Sequence, residues 1–168
     1  MRRAILVAIP ILGLTLILQT SIISRIMLLS GNADLILLVL AAWALQERVR
    51  AAWVWGIVAS LLVGMVSGVS WYIYLVGYLI VVGMARLLIH RIWQAPLLAM
   101  FAVTLIGTLE LLMLTFVQRT LFESPLAFGD VFPQIVLPSV LLNLLLAIPV
   151  HALIRDLANR LYPAEVVA

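Results

Sequence analysis

The sequence contains no cysteine and no lysine. Without cysteine there is no disulfide framework, no thiol nucleophile and no cysteine metal site, and the redox compartment leaves no trace. With only two histidines and acids scattered singly along the chain, no set of metal ligands falls at a usable spacing. Charge of either sign is scarce. Only 10% of the 168 residues are charged, against about 25% in soluble globular domains, so the surface needed to face water is missing. What fills the chain instead is apolar: 66% of residues, with a mean hydropathy of +1.27. This composition belongs in lipid, as one compact membrane domain covering residues 1–168. Ten arginines against seven acids leave a net charge of only +3, and no basic patch interleaves with aromatics. Nucleic acid is therefore excluded as a partner, the lipid bilayer is the expected one, and no cofactor is implied.

A membrane-spanning helix needs about 20 mainly apolar residues. Cutting the chain at charged and turn-forming clusters predicts six spans, at about 4–22, 34–46, 51–68, 71–89, 95–117 and 133–154. The opening MRRAILVAIPILGLTLILQTS has the look of a secretory signal, but its apolar part is long enough to span and no A-x-A site follows. It reads as a retained first helix. The second span is short, and the segment 26–33 before it is expected to dip into the outer leaflet, shielded by protein because irregular backbone is not tolerated against lipid.

Orientation follows from arginine. With the N-terminus cytoplasmic, Arg2, Arg3, Arg48, Arg50, Arg86, Arg91, Arg155 and Arg160 fall inside, and only Arg25 and Arg119 outside. Such asymmetry predicts that both termini are cytoplasmic. Trp43, Trp53, Trp55, Trp71 and Trp93 all fall near span ends, where interfacial anchors are expected.

Within the third span, Ala52, Gly56, Ser60, Gly64 and Gly68 recur every four residues, a small-residue ladder that favours close helix packing or a partner contact. Ser67, in LLVGMVSGVSW, has the look of a nucleophile between glycines. A serine nucleophile needs a base within reach, and His90 and His151 fall at the opposite ends of their spans, so a hydrolase is not expected. Glu110 and Asn143 lie inside the fifth and sixth spans, roughly 10 and 14 Å below the outer surface at 1.5 Å per residue. An intramembrane carboxylate is a functional candidate; the competing and favoured reading is a polar lock in which Glu110 bonds Asn143 or the helix neighbours of Thr108. Ser139, Asn143, Ala147, His151 and Arg155 mark a polar face of the last span, with His151 and Arg155 an interfacial pair at its cytoplasmic end. Asp34 reads as a helix cap. The outer segment 118–132 is a candidate docking loop.

Three stretches carry a resemblance. NADLILLVLAAWAL resembles the P-D-L-x-L-L opening of the second span in the rod-shape-determining MreD family. GIVASLLVGMVSGVSW is similar to that family's G-x-x-x-G-L-x-x-D-x-x-S-G stretch, and LPSVLLNLLLAIPVHALIRDL to its final span, with P-S, then Asn, then Pro before a basic end. The sequence departs at Gly64, where the family commonly has an acid, and at Ala33, where it commonly has proline. No role of that acid carries over.

The resemblance implies an all-α, six-helix, S-component-like bundle in the bacterial plasma membrane. It would act as a non-enzymatic scaffold of cell elongation and peptidoglycan synthesis. The implied partners are an MreC-like single-span protein, and through it RodA with its penicillin-binding partner and MreB filaments. The alternative is a substrate-binding S component of an energy-coupling-factor transporter, favoured by Ala4-x-x-x-Ala8 but short of polar groups to orient a ligand.

Overall fold

A computed structural model of the chain describes residues 2–25, 28–49, 51–91, 95–122 and 128–162, with the side chains of 2–5, 24, 90, 91 and 130 left out. The described residues are helical almost throughout. The helices are α1 (Arg2–Ser21), α2 (Leu35–Ala44), α3 (Ala52–Val66), α4 (Trp71–Arg91), α5 (Pro96–Phe122), a single turn α6 (Phe128–Val131) and α7 (Leu137–Leu161). A π-helical turn, Phe132–Val136, joins α6 to α7 without a break. Thus six main helices form. Three segments are long and apolar enough to cross a membrane, Trp71–Ile89, Pro96–Phe122 and Phe132–Leu161, while α2, α3 and the apolar part of α1 are shorter.

The shortest main helix occupies the centre. Its sequence, LILLVLAAWA, is apolar on every face, and a helix of that kind has no side to offer water. Every residue from Ile36 to Leu45 is buried. Around it α1, α3, α4, α5 and α7 stand in that order as an arc, each also touching α2. The outer faces of these helices carry exposed Leu6, Leu14, Met65, Leu87, Leu121, Leu145 and Leu153. The bundle is therefore apolar both inside and out, with its polar groups gathered at the two ends of α2.

Two helices run past the boundaries that hydropathy predicts. α5 continues to Phe122, because Gln118 finds a partner: its amide donates to Ser70 Oγ at 2.9 Å. The last helix starts at Phe128 and runs to Leu161. In the other direction, α3 stops at Val66, so Gly68 lies in the bend that follows and not on a helix. The docking loop anticipated at 118–132 is largely helical where described, and residues 123–127 lie outside the described part.

Small residues set the helix spacing. Ala52, Gly56 and Ser60 are buried in α3. A Cβ on Gly56 would meet Leu79, Val82 and the Tyr78 carbonyl of α4, and one on Gly64 would strike the Trp71 backbone at 2.8 Å. The ladder therefore faces α4 of the same chain. Gly68 has nothing within 4 Å of a notional Cβ and is no part of it. A second seam, α4 against α5, closes over Gly77 and Gly107, where a Cβ would overlap Leu111 and Val81. Close approach of this kind supplies the dispersion contacts that hold helices together where no hydrophobic drive acts between them.

The tryptophans divide. Trp53 and Trp71 are exposed, but Trp43 and Trp55 are each 1% exposed and stack on one another with centroids 4.0 Å apart. Position near a span end is thus no guide to depth for these two. α2 is short enough that its end lies within the bundle, and Trp43 goes with it. Trp93 lies outside the described residues.

Candidate functional site: a polar clasp at the start of the central helix

The chain enters α2 through a short strap. Leu28 to Gly31 form a tight turn, with the Gly31 N–H donating to the Leu28 carbonyl at 2.9 Å and Leu29 in the left-handed region at φ 55°. From there the strap runs along the beginning of α7, in the same chain direction. Ser30 N–H donates to the Gln134 carbonyl at 3.1 Å, Asn32 N–H to Ser139 Oγ at 3.1 Å, and Asp34 N–H to Asn143 Oδ1 at 2.7 Å.

The spacing explains why these three match. Alternate residues of extended chain lie about 6.6 Å apart, and four or five residues of helix rise about 6–7.5 Å. The first rung depends on proline. In an α-helix the Gln134 carbonyl would receive an N–H from residue 138, but Pro138 has none. The helix opens into its π turn, Leu137 N–H reaching back to the Phe132 carbonyl, and the strap takes the carbonyl that proline leaves. Gly31 makes the contact possible. A Cβ there would stand 2.7 Å from both Pro138 Cβ and Ser139 N, and 2.9 Å from the Ile135 carbonyl.

Asp34 lies where the strap becomes helix. Its backbone is extended (φ −108°, ψ 91°), and Oδ1 accepts the Leu37 N–H at 3.0 Å, which caps α2. Oδ2 accepts from the Tyr78 hydroxyl at 3.2 Å. Another free N–H of the first turn, that of Ile36, is taken by Gln19 of α1 at 3.2 Å. Asn143, 1% exposed, uses both ends of its amide: Oδ1 takes Asp34 N–H and Nδ2 donates to Thr108 Oγ1 of α5 at 2.9 Å. One layer of side chains thus joins α1, α2, α4, α5 and α7. Beside it, Tyr74 stacks at a tilt near Tyr78, and its hydroxyl lies 2.7 Å from Ser67 Oγ, which also accepts the Val69 N–H at 3.1 Å. Ser67 therefore holds the α3–α4 turn, bonding forward into the bend and not back into its own helix.

No family model, curated protein or solved structure matches the chain. Its chemistry must be read from the geometry. In the clasp, the short polar contacts are made between groups of the chain itself, so each carboxylate and amide oxygen described above already has a donor. Ser67 has a phenol and an amide for company and no imidazole. Such an arrangement fixes helices.

The remaining sequence candidates fall elsewhere. Glu110 is not bonded to Asn143, because Asn143 is committed to Asp34 and Thr108. Both Glu110 carboxyl oxygens are buried without a partner among the described residues, near the α4 seam at Gly77. A polar lock through Glu110 is thus replaced by one through Thr108, one helical face away. His151 and Arg155 lie at the far end of the bundle. His151 is buried at 4% exposure with Nδ1 unpartnered among the described residues, and Arg155 is exposed, 3.7 Å from the Asp156 carboxylate. Both border a cavity with Arg48 and Gln46. At that end Arg86 reaches the Ala44 and Gln46 carbonyls at 3.4 and 3.3 Å, at the finish of α2. His90's side chain, and that of Ala4 in the Ala4-x-x-x-Ala8 pattern, lie outside the described residues; Ala8 is buried against the core.

Sequence reading overlooked Gln19, Tyr78, Thr108 and Arg86. A signal existed for two of them: Tyr74 and Tyr78, and Thr104 and Thr108, are pairs four residues apart on helices otherwise apolar, and a repeated polar residue on one face of a buried helix needs partners.

Proposed function

We propose that the protein is a multi-pass scaffold of the bacterial plasma membrane, MreD-like, with both termini cytoplasmic. It holds an MreC-like single-span partner and, through it, the elongation synthase. One observation carries this reading. Two of the three stretches that resemble the family are far apart in sequence yet meet directly, Asp34 on Asn143 and Asn32 on Ser139; Ser67 of the third reaches them through Tyr74 and Tyr78, which lie outside the stretches. Residues that a family keeps in order along a chain become one object when the chain folds, and here that object is a clasp.

Membrane insertion is supported by the exposed Leu, Ile and Met side chains on every outer helix, which water would penalise and lipid does not. The orientation is supported by the gathering of Arg48, Arg86 and Arg155 at the end of the bundle away from the strap. A scaffold also fits a site whose polar groups are spent on one another. A subunit that captures a vitamin from outside needs polar groups held open at its outer end, and at the strap end those described are bonded to one another.

Copurification tests the proposal. Tagged protein extracted in mild detergent should bring down a single-span protein with a coiled-coil-bearing outer domain, and its depletion should round the cells. Recovery of ATPase subunits or a bound vitamin would replace it with the transporter reading.

A further inference from the structure

A cavity of about 270 Å³ opens between the end of α2, the start of α5 and the second half of α7. Gln46, Arg48, His151, Arg155 and Asn159 supply its polar wall, with Glu47 as an opposing charge. Through His151, Arg155 and Pro96 it continues into an apolar groove along Leu97, Leu98, Ile148 and Ala152. Leu97, Leu98 and Ile148 are exposed on the outside of the bundle, so the groove leads to the surface that faces lipid in the proposed setting.

Three features at this place call for an anion. His151 is 96% buried and borders both cavity and groove, yet its Nδ1 has no partner among the described residues. A buried ring nitrogen left unbonded is costly and is rare without a missing partner. Second, α5 begins here with Pro96, which has no N–H, and Ala99 N–H is taken by the Ala95 carbonyl at 3.2 Å. The Leu97 and Leu98 N–H groups are therefore the ones without a partner among the described residues at the positive end of the helix dipole. Third, two guanidinium groups border the cavity with N–H capacity to spare: Arg48 spends one nitrogen on the Tyr162 carbonyl at 3.2 Å, and Arg155 meets exposed Asp156 only at 3.7 Å.

We propose that this cavity binds the phosphate of an anionic membrane lipid, with an acyl chain lying in the Leu97–Ile148 groove. The guanidinium forks of Arg48 and Arg155 match phosphate oxygens bidentately, and the His151 ring lines the buried end of the cavity. The groove selects a lipid over free phosphate, because an inorganic ion would fill the polar part and leave the apolar part empty. The site is independent of which protein the scaffold holds; it requires only that the bundle meet a bilayer.

Native mass spectrometry of the full chain, released from micelles containing equal phosphatidylglycerol and phosphatidylcholine, tests the assignment. Phosphatidylglycerol adducts should exceed phosphatidylcholine adducts by about tenfold, because both carry the phosphodiester but only choline brings a fixed cation up to Arg48 and Arg155. The doubly substituted Arg48→Gln/Arg155→Gln chain should lose that preference, and Arg119→Gln, exposed at the other end, should keep it. Both cavity arginines are exposed, so an unchanged thermal midpoint verifies that the variant folds. Equal adducts in the unsubstituted chain, or a preference that survives the double substitution, would overturn the proposal. Inorganic phosphate displacing phosphatidylglycerol at equal concentration would reassign the cavity to the free ion.

Discussion

The two ends of α2 solve the same problem in opposite ways. Each end of a helix presents backbone groups without intrahelical partners. At its start, strap, cap and neighbouring helices supply short bonds: Asp34 to Leu37 at 3.0 Å, Gln19 to Ile36 at 3.2 Å, Asn143 to Asp34 at 2.7 Å. At its finish the bonds come mostly from the chain's own next residues: Gln46 Nε2 donates to the Ala42 carbonyl at 2.9 Å and Val49 N–H to the Gln46 carbonyl at 3.1 Å. Arg86 reaches the Ala44 and Gln46 carbonyls at 3.4 and 3.3 Å, beside a cavity bordered by His151, whose Nδ1 has no partner among the described residues. The first end is tied to four neighbouring helices; the second is closed mainly by its own residues and borders a cavity. Where a buried polar set satisfies itself it stabilises, and where it leaves a group over it points to a ligand.

Substitutions that separate the ends should rank accordingly. Gly31→Val should have the largest effect, since its side chain would overlap the backbone of α7 at Ser139 and Ile135. Displacing a packed helix costs about 1–3 kcal/mol or more, and the thermal midpoint in detergent should drop sharply or folded protein should be lost. Asn143→Leu should follow. It strands Asp34 N–H and the Thr108 hydroxyl, and each buried group left unpaired costs about 1–3 kcal/mol. Hydrogen exchange at residues 30–37 should accelerate in this variant while α4 stays protected. Ser67→Ala should be milder, about 1 kcal/mol, because Tyr74 is only partly buried and its hydroxyl has water as a substitute. Arg155→Gln, exposed at the cavity end, should leave the midpoint unchanged within about 0.5 kcal/mol. A midpoint as sensitive to Arg155 as to Asn143 would erase the distinction between the ends.

Much of this was legible in the sequence and some was not, for physical reasons. A uniformly apolar LILLVLAAWA between a capping Asp34 and a polar QERVR reads directly as a short helix, because length and capping are local properties. The α3 ladder reads as a packing face for the same reason, down to Gly64. The partners in the clasp do not read out. Hydropathy placed Glu110 and Asn143 at similar depths, but depth alone does not say which side of a helix faces which neighbour. About 200° of rotation separates Thr108 from Glu110 at 3.6 residues per turn, and Thr108 has the side that meets Asn143. Trp43 and Trp55 show the same limit. Their positions near span ends suggest an interface, yet the shortness of α2 draws both into the core, where they stack. The π turn needed Pro138 to be read together with a strap over a hundred residues earlier.

The central claim is that Asp34 and its partners are a structural clasp and do no charge-dependent work. Asp34→Asn tests it most directly, because asparagine caps helices as well as aspartate does, and its Nδ2 can donate to the Tyr78 hydroxyl oxygen once that hydroxyl turns. Thermal midpoint and recovery of the proposed single-span partner are measured together for Asp34→Asn and Asp34→Ala. The account predicts that Asn retains both, while Ala lowers the midpoint and the recovery in parallel. A normal midpoint with loss of the partner in Asp34→Asn would contradict it, placing the charge of Asp34 at the centre of function.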